Sequence, residues 1–245
     1  MNGVPAQWVN NRTLGMDKPP EKFQSWEPGP DHPVIKPGQA DIWRIPLEDT
    51  RLDPAMLWES LSSGEQGRAQ RFRFPVHRQR FILAHAALRN ILSRYLGLPA
   101  RRLEFNHNAY GKPELTLQDG GDWLSFNLSH SHSLALVAVS IKRAVGVDIE
   151  QLRVDLADEK IAQRFFSTRE VADLRSLPED QRTQAFFACW TRKEAFIKAL
   201  GQGLSMPLDA FDVSLLPEEP ARIIQTRPDP AQALQWNLYS LWPEV

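Results

Sequence analysis

Between Phe186 and Leu204 the chain reads FFACWTRKEAFIKALGQGL, and no other stretch narrows its folding options as much. Phe186, Trp190, Ile197 and Leu200 recur at spacings of four, seven and three, which puts them on one face of a helix. Gly201 stands where the periodicity ends and predicts the helix stop. On the margin of the apolar face lie Glu194 and Lys198, one turn apart, with Trp190 a turn before Glu194. Taken alone, a Glu–Lys pair at that spacing is an ordinary exposed pair.

The segment upstream gives that pair a context. Ser133–Ser140 (SLALVAVS) and Val145–Glu150 (VGVDIE) are β-rich runs separated by IKRA, a pattern that predicts a hairpin. In an extended chain residues two apart face the same side, so Asp148 and Glu150 project together while Val147 and Ile149 face a core. Two neighbouring carboxylates repel unless a cation lies between them; a solvated strand end is the alternative. With Glu194 as a third carboxylate the set suits Mg²⁺, which takes a few protein carboxylates plus waters and phosphate oxygens.

The 245 residues, 42% of them hydrophobic, are enough for one large domain or two small ones. A net charge of −1 argues against a general nucleic-acid binder. The single cysteine, Cys189, cannot form an internal disulfide; it reads as a small core residue in a reducing compartment. No apolar run approaches the length of a membrane span, and the N-terminus lacks a signal-peptide pattern. A cytoplasmic protein that engages neither membrane nor nucleic acid is expected. Residues 1–38, rich in Pro, Gly and Asn, predict a flexible or peripherally draped arm, with Trp8, Phe23 and Trp26 packing in places.

The remainder alternates helix and strand signals. Ala40–Pro46 predicts a strand, and Pro54–Ser62 a helix capped by Asp53. Gly67–Arg80 (GRAQRFRFPVHRQR) holds Arg68, Arg71, Arg73, Arg78 and Arg80 without an acid, either a solvated face or an anion site. A helix over Phe81–Leu96 follows, ending at Gly97. The turn NAYGKP projects Lys112, and the strand Trp123–Leu128 leads into Ser129, His130, Ser131 and His132. Zinc on His130 and His132 would need two further ligands that the neighbourhood does not supply. A hydroxyl and an imidazole at a strand end suit a phosphate instead. RFRF followed by a helix ending YLG resembles RFFS followed by a helix ending ALG, a repeat of about one hundred residues.

VGVDIE, RFFSTREVADL and CWTRKEAFIKALGQGLSMPL, preceded in order by YGKP and FNLSHS, resemble the motifs of 4′-phosphopantetheinyl transferases of the larger, surfactin-synthetase-activating type. The resemblance covers about residues 40–215. It implies an α+β chain of two pseudo-symmetric halves, 39–141 and 142–245, behind the arm, with coenzyme A in the cleft between them. The implied reaction moves 4′-phosphopantetheine from coenzyme A to a serine of an apo acyl, peptidyl or aryl carrier protein and releases 3′,5′-ADP. By position Asp148, Glu150 and Glu194 match Mg²⁺ ligands that grip the pyrophosphate. Lys198 matches a lysine that steadies the pyrophosphate and protonates the leaving nucleotide. Ser129 and His130 match a phosphate-binding pair, Lys112 another phosphate contact, and Arg68 and Arg80 basic positions for the nucleotide end. Glu170 matches a glutamate implicated in catalysis; it also fits the first turn of a helix capped by Ser167 or Thr168. Glu194 and Glu170 are the two candidates for the base.

Two positions depart from the pattern. PVHRQRF replaces an Asp-Arg pair before the first long helix, and Glu65 and Gln66 stand where a second basic residue would precede Arg68. A monomer is expected, since the chain contains its own pseudo-dimer. The alternatives are a non-catalytic module that binds coenzyme A or carrier proteins, and a Mg²⁺-dependent nucleotide phosphodiesterase.

Overall fold

In a computed structural model of the chain, residues 9–15, 26–48, 52–116 and 123–243 are described. Their largest sheet is antiparallel, in the order β2 (Glu27–Pro28), β1 (Val9–Gly15), β3 (Gln39–Pro46), β7 (Leu134–Ile141), β6 (Leu124–Ser131). β7 pairs β3 from Ala40↔Ser140 to Pro46↔Leu134, and β6 from Leu124↔Ile141 to Ser131↔Leu134. From Leu134 to Ser140 every residue is buried. That unbroken run has a cause: both faces of the strand are covered. Ala135, Val137 and Val139 meet Trp43, Ile45 and the inner side of α3 (Pro75–Leu96). Leu136 and Ala138 meet Ile42 and Val147, with Trp26, Val145, Ile149, Tyr239 and Leu241 around them.

Two expectations are corrected here. Val145–Glu150 is not the hairpin partner of β7, whose two edges are already taken by β3 and β6. It is an extended segment lying over the second face of the sheet, with the Val147 amide donating to the Asn127 side chain at 2.9 Å. Nor is the N-terminal arm merely draped: β1 pairs β3 in the sheet, and Trp26 packs below Arg44. Trp8 and Phe23 lie outside the described residues.

The second half packs α4 (Glu159–Phe165), α5 (Thr168–Ser176) and α6 (Glu179–Leu200) with the hairpin β8–β9 (Phe211–Val213, Ile223–Thr226). Phe166, Phe186, Phe187, Phe196, Phe211 and the buried Cys189 form its core. The tail beyond β9 crosses back, so that Tyr239 and Leu241 cover the sheet of the first half.

The repeat lies deeper than the matching tetrapeptides suggest. Both α3 and α6 have 22 residues and end on a left-handed glycine, Gly97 (φ 65°) and Gly201 (φ 70°). Each follows a short helix opened by a capping box: Ser62 with Glu65 at α2 (Ser63–Gln70), Ser167 with Glu170 at α5. Each capping glutamate also pairs with a cation from the long helix. Arg89 Nε lies 2.6 Å from Glu65 and Nη1 donates to the carbonyls of Ala100 and Leu103. Lys193 Nζ lies 2.8 Å from Glu170 and donates to the carbonyls of Leu208 and Phe211. RFRF follows α2 whereas RFFS precedes α5, so those two motifs are not equivalent; the glycine-terminated helix ends are.

Candidate active site between the two halves

The site forms where α6 crosses the segment Val145–Glu150. Gly146 makes the crossing possible: a Cβ there would stand 2.0 Å from the Ala195 carbonyl oxygen and 2.5 Å from the Ala199 nitrogen. The helix backbone therefore lies directly on the segment. This brings Lys198 to Asp148, fifty residues away in the chain.

Asp148 Oδ1 accepts from Lys198 Nζ at 2.5 Å and from Ser129 Oγ at 2.9 Å, and Lys198 also donates to Ser129 Oγ at 2.9 Å. The Asp148 side chain is only 4% exposed, and its Oδ2 is buried without a hydrogen-bond partner. Two positions on, Glu150 accepts from Ser131 Oγ at 2.8 Å. Asp148 and Glu150 thus face the same polar stripe of β6, as the alternation predicts. Burial raises the pKa of Asp148, against the pull of Lys198 and Ser129. Burial and then Asp148 raise that of Glu150, while Ser131 opposes. Burial, followed by the charges of Asp148 and Glu150, raises that of Glu194. Three carboxylates therefore crowd one another around a single lysine, the electrostatic condition that a cation relieves. As the side chains stand, no group of three among the described residues closes a metal's ligand sphere. Asp148 Oδ2 is the carboxylate oxygen left without a partner, so the donor set fits a hard divalent cation in charge and chemistry.

A basic wall faces this cluster. His130 has its pKa lowered by burial first, although part of the residue stays open to solvent, and then by His85, Lys198, Arg68 and Arg80. Those four cationic or titratable groups come from α2, α3 and α6. Arg68 is exposed, its guanidinium 5.2 Å from the Phe81 ring centroid. Arg80 pairs with Glu48 at 2.6 Å, and its buried Nε has no hydrogen-bond partner. Sequence reasoning missed His85. Its signal was present: Phe81, His85 and Arg89 stand four apart on one stripe of α3.

Two sequence-predicted residues sit elsewhere. Lys112 does not point into the cleft. Its ammonium donates to the carbonyls of Ala199 (3.0 Å) and Val145 (3.3 Å), and Asn108 donates to that of Gly201 (2.8 Å). The loop between β4 (Phe105–His107) and β5 (Pro113–Leu115) so clasps the end of α6 to the crossing segment. Glu170 is fully buried; both oxygens are engaged by Lys193 and by the amides of Ser167 and Val213. As placed it is a tie inside the second half, not a group of the cleft, because no substrate reaches it.

Beside Glu150, a crevice of about 770 Å³ opens between the second face of the sheet, α6 and the tail. Leu134, Leu136, Ile149, Phe187 and Trp236 give it an apolar lining, and none of Arg68, Arg80, His85 or His130 reaches it. No helix among the described residues is long and apolar enough to cross a membrane.

Comparison with known proteins gives two family matches. The 4′-phosphopantetheinyl transferase superfamily matches residues 144–241, and the N-terminal region of 4′-phosphopantetheinyl transferases matches residues 49–142. The chain is 41% identical over 220 residues to the 4′-phosphopantetheinyl transferase HetI of Nostoc sp., covering 90% of each chain. It is 35% identical over 201 residues to the 4′-phosphopantetheinyl transferase psf-1 of Bacillus pumilus, covering 81% of this chain and 82% of that one. To Sfp of Bacillus subtilis it is 35% identical over 156 residues, 63% of this chain and 66% of the relative.

Proposed function

The chain belongs to the 4′-phosphopantetheinyl transferases and so transfers 4′-phosphopantetheine from coenzyme A to carrier proteins; we propose that it does so at the junction of Asp148, Glu194 and Lys198, with Mg²⁺. The observation that carries this reading is Lys198 seated between Ser129 and Asp148 within a ring of three carboxylates, opposite a wall of Arg and His. Carboxylates alone would repel a pyrophosphate. Carboxylates that hold a cation, faced by basic groups, attract it.

Asp148, Glu150 and Glu194 are the residues that would hold Mg²⁺, which when bound supplies the positive charge that neutralises the pyrophosphate oxygens. Lys198 places an ammonium at the same point and donates to the leaving phosphate. Arg68, Arg80 and His130 bind the nucleotide end. The serine hydroxyl of an apo acyl, peptidyl or aryl carrier attacks the phosphorus that bears pantetheine. The bond from that phosphorus to the bridging oxygen breaks, and 3′,5′-ADP leaves with the electron pair. The serine proton needs an acceptor. Of the two glutamates named for that role only Glu194 reaches the cleft, so Glu194 is the base. The chain works as a monomer, since each half contributes one wall of the site.

The test is intact-mass spectrometry of an apo carrier protein incubated with the chain, coenzyme A and Mg²⁺, with an EDTA control. A Mg²⁺-dependent gain of one phosphopantetheine is expected. Cleavage of coenzyme A without labelling would mark a phosphodiesterase; binding with neither would mark a module. Equal labelling in EDTA would remove the metal from the reading. Binding of Mg²⁺ should raise the melting temperature of the wild type and leave Asp148→Asn unmoved.

A further inference from the structure

The buried tie of the first half has a member that its counterpart lacks. Four residues before Lys193 in α6 stands Cys189, sealed in the core. Four residues before Arg89 in α3 stands His85, 21% exposed, its ring centroid 4.1 Å from that of Phe81. Its Nδ1 lies 3.2 Å from Glu65 Oε1. Burial alone would raise the pKa of Glu65, but hydrogen bonds from His85 and Ser62 and the charge of Arg89 push it down to about 2. An ionised carboxylate therefore holds the Nδ1 edge of the imidazole. Protonated, such a ring donates from Nδ1 to Glu65 and still has Nε2–H for an acceptor in the cleft.

His85, Lys198, Arg68 and Arg80 all act on His130. Two imidazoles and three cations thus share one space. Lys198 and Arg80 have carboxylate partners in Asp148 and Glu48. The Phe81 ring joins Arg68 to His85, with the Arg68 guanidinium 5.2 Å from its centroid and the His85 ring tilted 32° against it.

Coenzyme A, the co-substrate on which this inference rests, carries a pyrophosphate and a 3′-phosphate monoester. The end of the site at Asp148 and Lys198 serves the pyrophosphate. His85 and Arg68, on α3 and α2, pair instead with Glu65 and with the Phe81 ring, which leaves them for the other phosphate. We propose that His85 is a binding residue for the 3′-phosphate monoester of coenzyme A, beside His130, and that Glu65 orients it for this task.

Calorimetric titration of the full chain with 3′,5′-ADP and with 5′-AMP tests the proposal, since the two ligands differ only in the 3′-phosphate. Wild type should prefer 3′,5′-ADP. His85→Gln, whose amide still satisfies Glu65, should lose roughly ten- to a hundredfold in affinity for 3′,5′-ADP, the size of one charge-assisted hydrogen bond. It should change less than about threefold for 5′-AMP. His85→Phe, which keeps the stack on Phe81, should behave alike. An unchanged preference, or equal losses for both ligands, would overturn the assignment. Imidazole nitrogen resonances of the wild type give a readout independent of variant folding: 3′,5′-ADP should move those of His85 and 5′-AMP should not, and the reverse sinks the proposal. If neither nucleotide binds the wild type, the coenzyme A reading itself fails, and this one with it.

Discussion

Gly146→Ala perturbs the site through one methyl group. The added Cβ would stand 2.0 Å from the Ala195 carbonyl oxygen, 2.5 Å from the Ala199 nitrogen and 3.0 Å from the Ala199 Cα. Such contacts do not close below 3.0 Å, so the crossing must open by at least the difference, 1.0 Å. If that opening is taken up along the line between α6 and the segment, the Lys198–Ser129 hydrogen bond goes from 2.9 Å to about 3.9 Å, beyond hydrogen-bonding range. Misplacement of about 1 Å at a reacting centre costs on the order of a hundredfold in rate. The overpacking itself costs about 1–3 kcal/mol, a fall of about 2–12 °C in melting temperature for a chain of this size. The assay is initial-rate labelling of an apo carrier protein, followed by thermal unfolding of the same preparations. The colliding atoms are main-chain, so Ala195→Gly or Ala199→Gly should not rescue the variant. Wild-type rate and melting temperature in Gly146→Ala, or rescue by either side-chain truncation, would refute the argument.

Lys112→Met keeps the aliphatic stem and removes two charged hydrogen bonds to the clasped carbonyls; kcat should fall several-fold and stability by about 1–3 kcal/mol, with KM for coenzyme A little changed. A raised KM with unaltered stability would restore the phosphate role that the sequence suggests. Glu170→Gln should cost about 3–5 kcal/mol in denaturant unfolding, because it leaves the Lys193 charge buried and unpaired; lost activity at unchanged stability would return Glu170 to catalysis. His130 has a lowered pKa in the fold, so the unfolded chain binds its proton more readily, and the stability tied to it falls as pH drops below about 6.5. Between about pH 7 and pH 5 the wild type should lose more stability than His130→Asn, and parallel unfolding curves across that range would contradict the shift.

Much of the site was legible in the sequence because short-range rules govern it. The helical period placed Glu194 and Lys198 on one margin of α6, and Gly201 ended that helix in the left-handed conformation expected of it. Alternation put Asp148 and Glu150 on one side and Val147 in the core. The family motifs named the same residues. What alternation could not give was the partner of that segment. It encodes which way side chains face, not which backbone they join, and here the Asn127 side chain and α6 take the place of a neighbouring strand. The same limit explains Glu170 and Lys112. Ser-Thr-Arg-Glu reads locally as a capping box, and it is one, but nothing within a few residues announces the buried Lys193 that occupies the same carboxylate. YGKP announces a turn that presents a lysine; only the packed chain decides that two carbonyls from Val145 and Ala199 receive it. Local sequence fixes conformations that a few residues can satisfy among themselves. The neighbours of a buried charge are set by contacts between segments tens of residues apart, and those exist only once the chain has packed, within one half for Glu170 and across the two for Lys112.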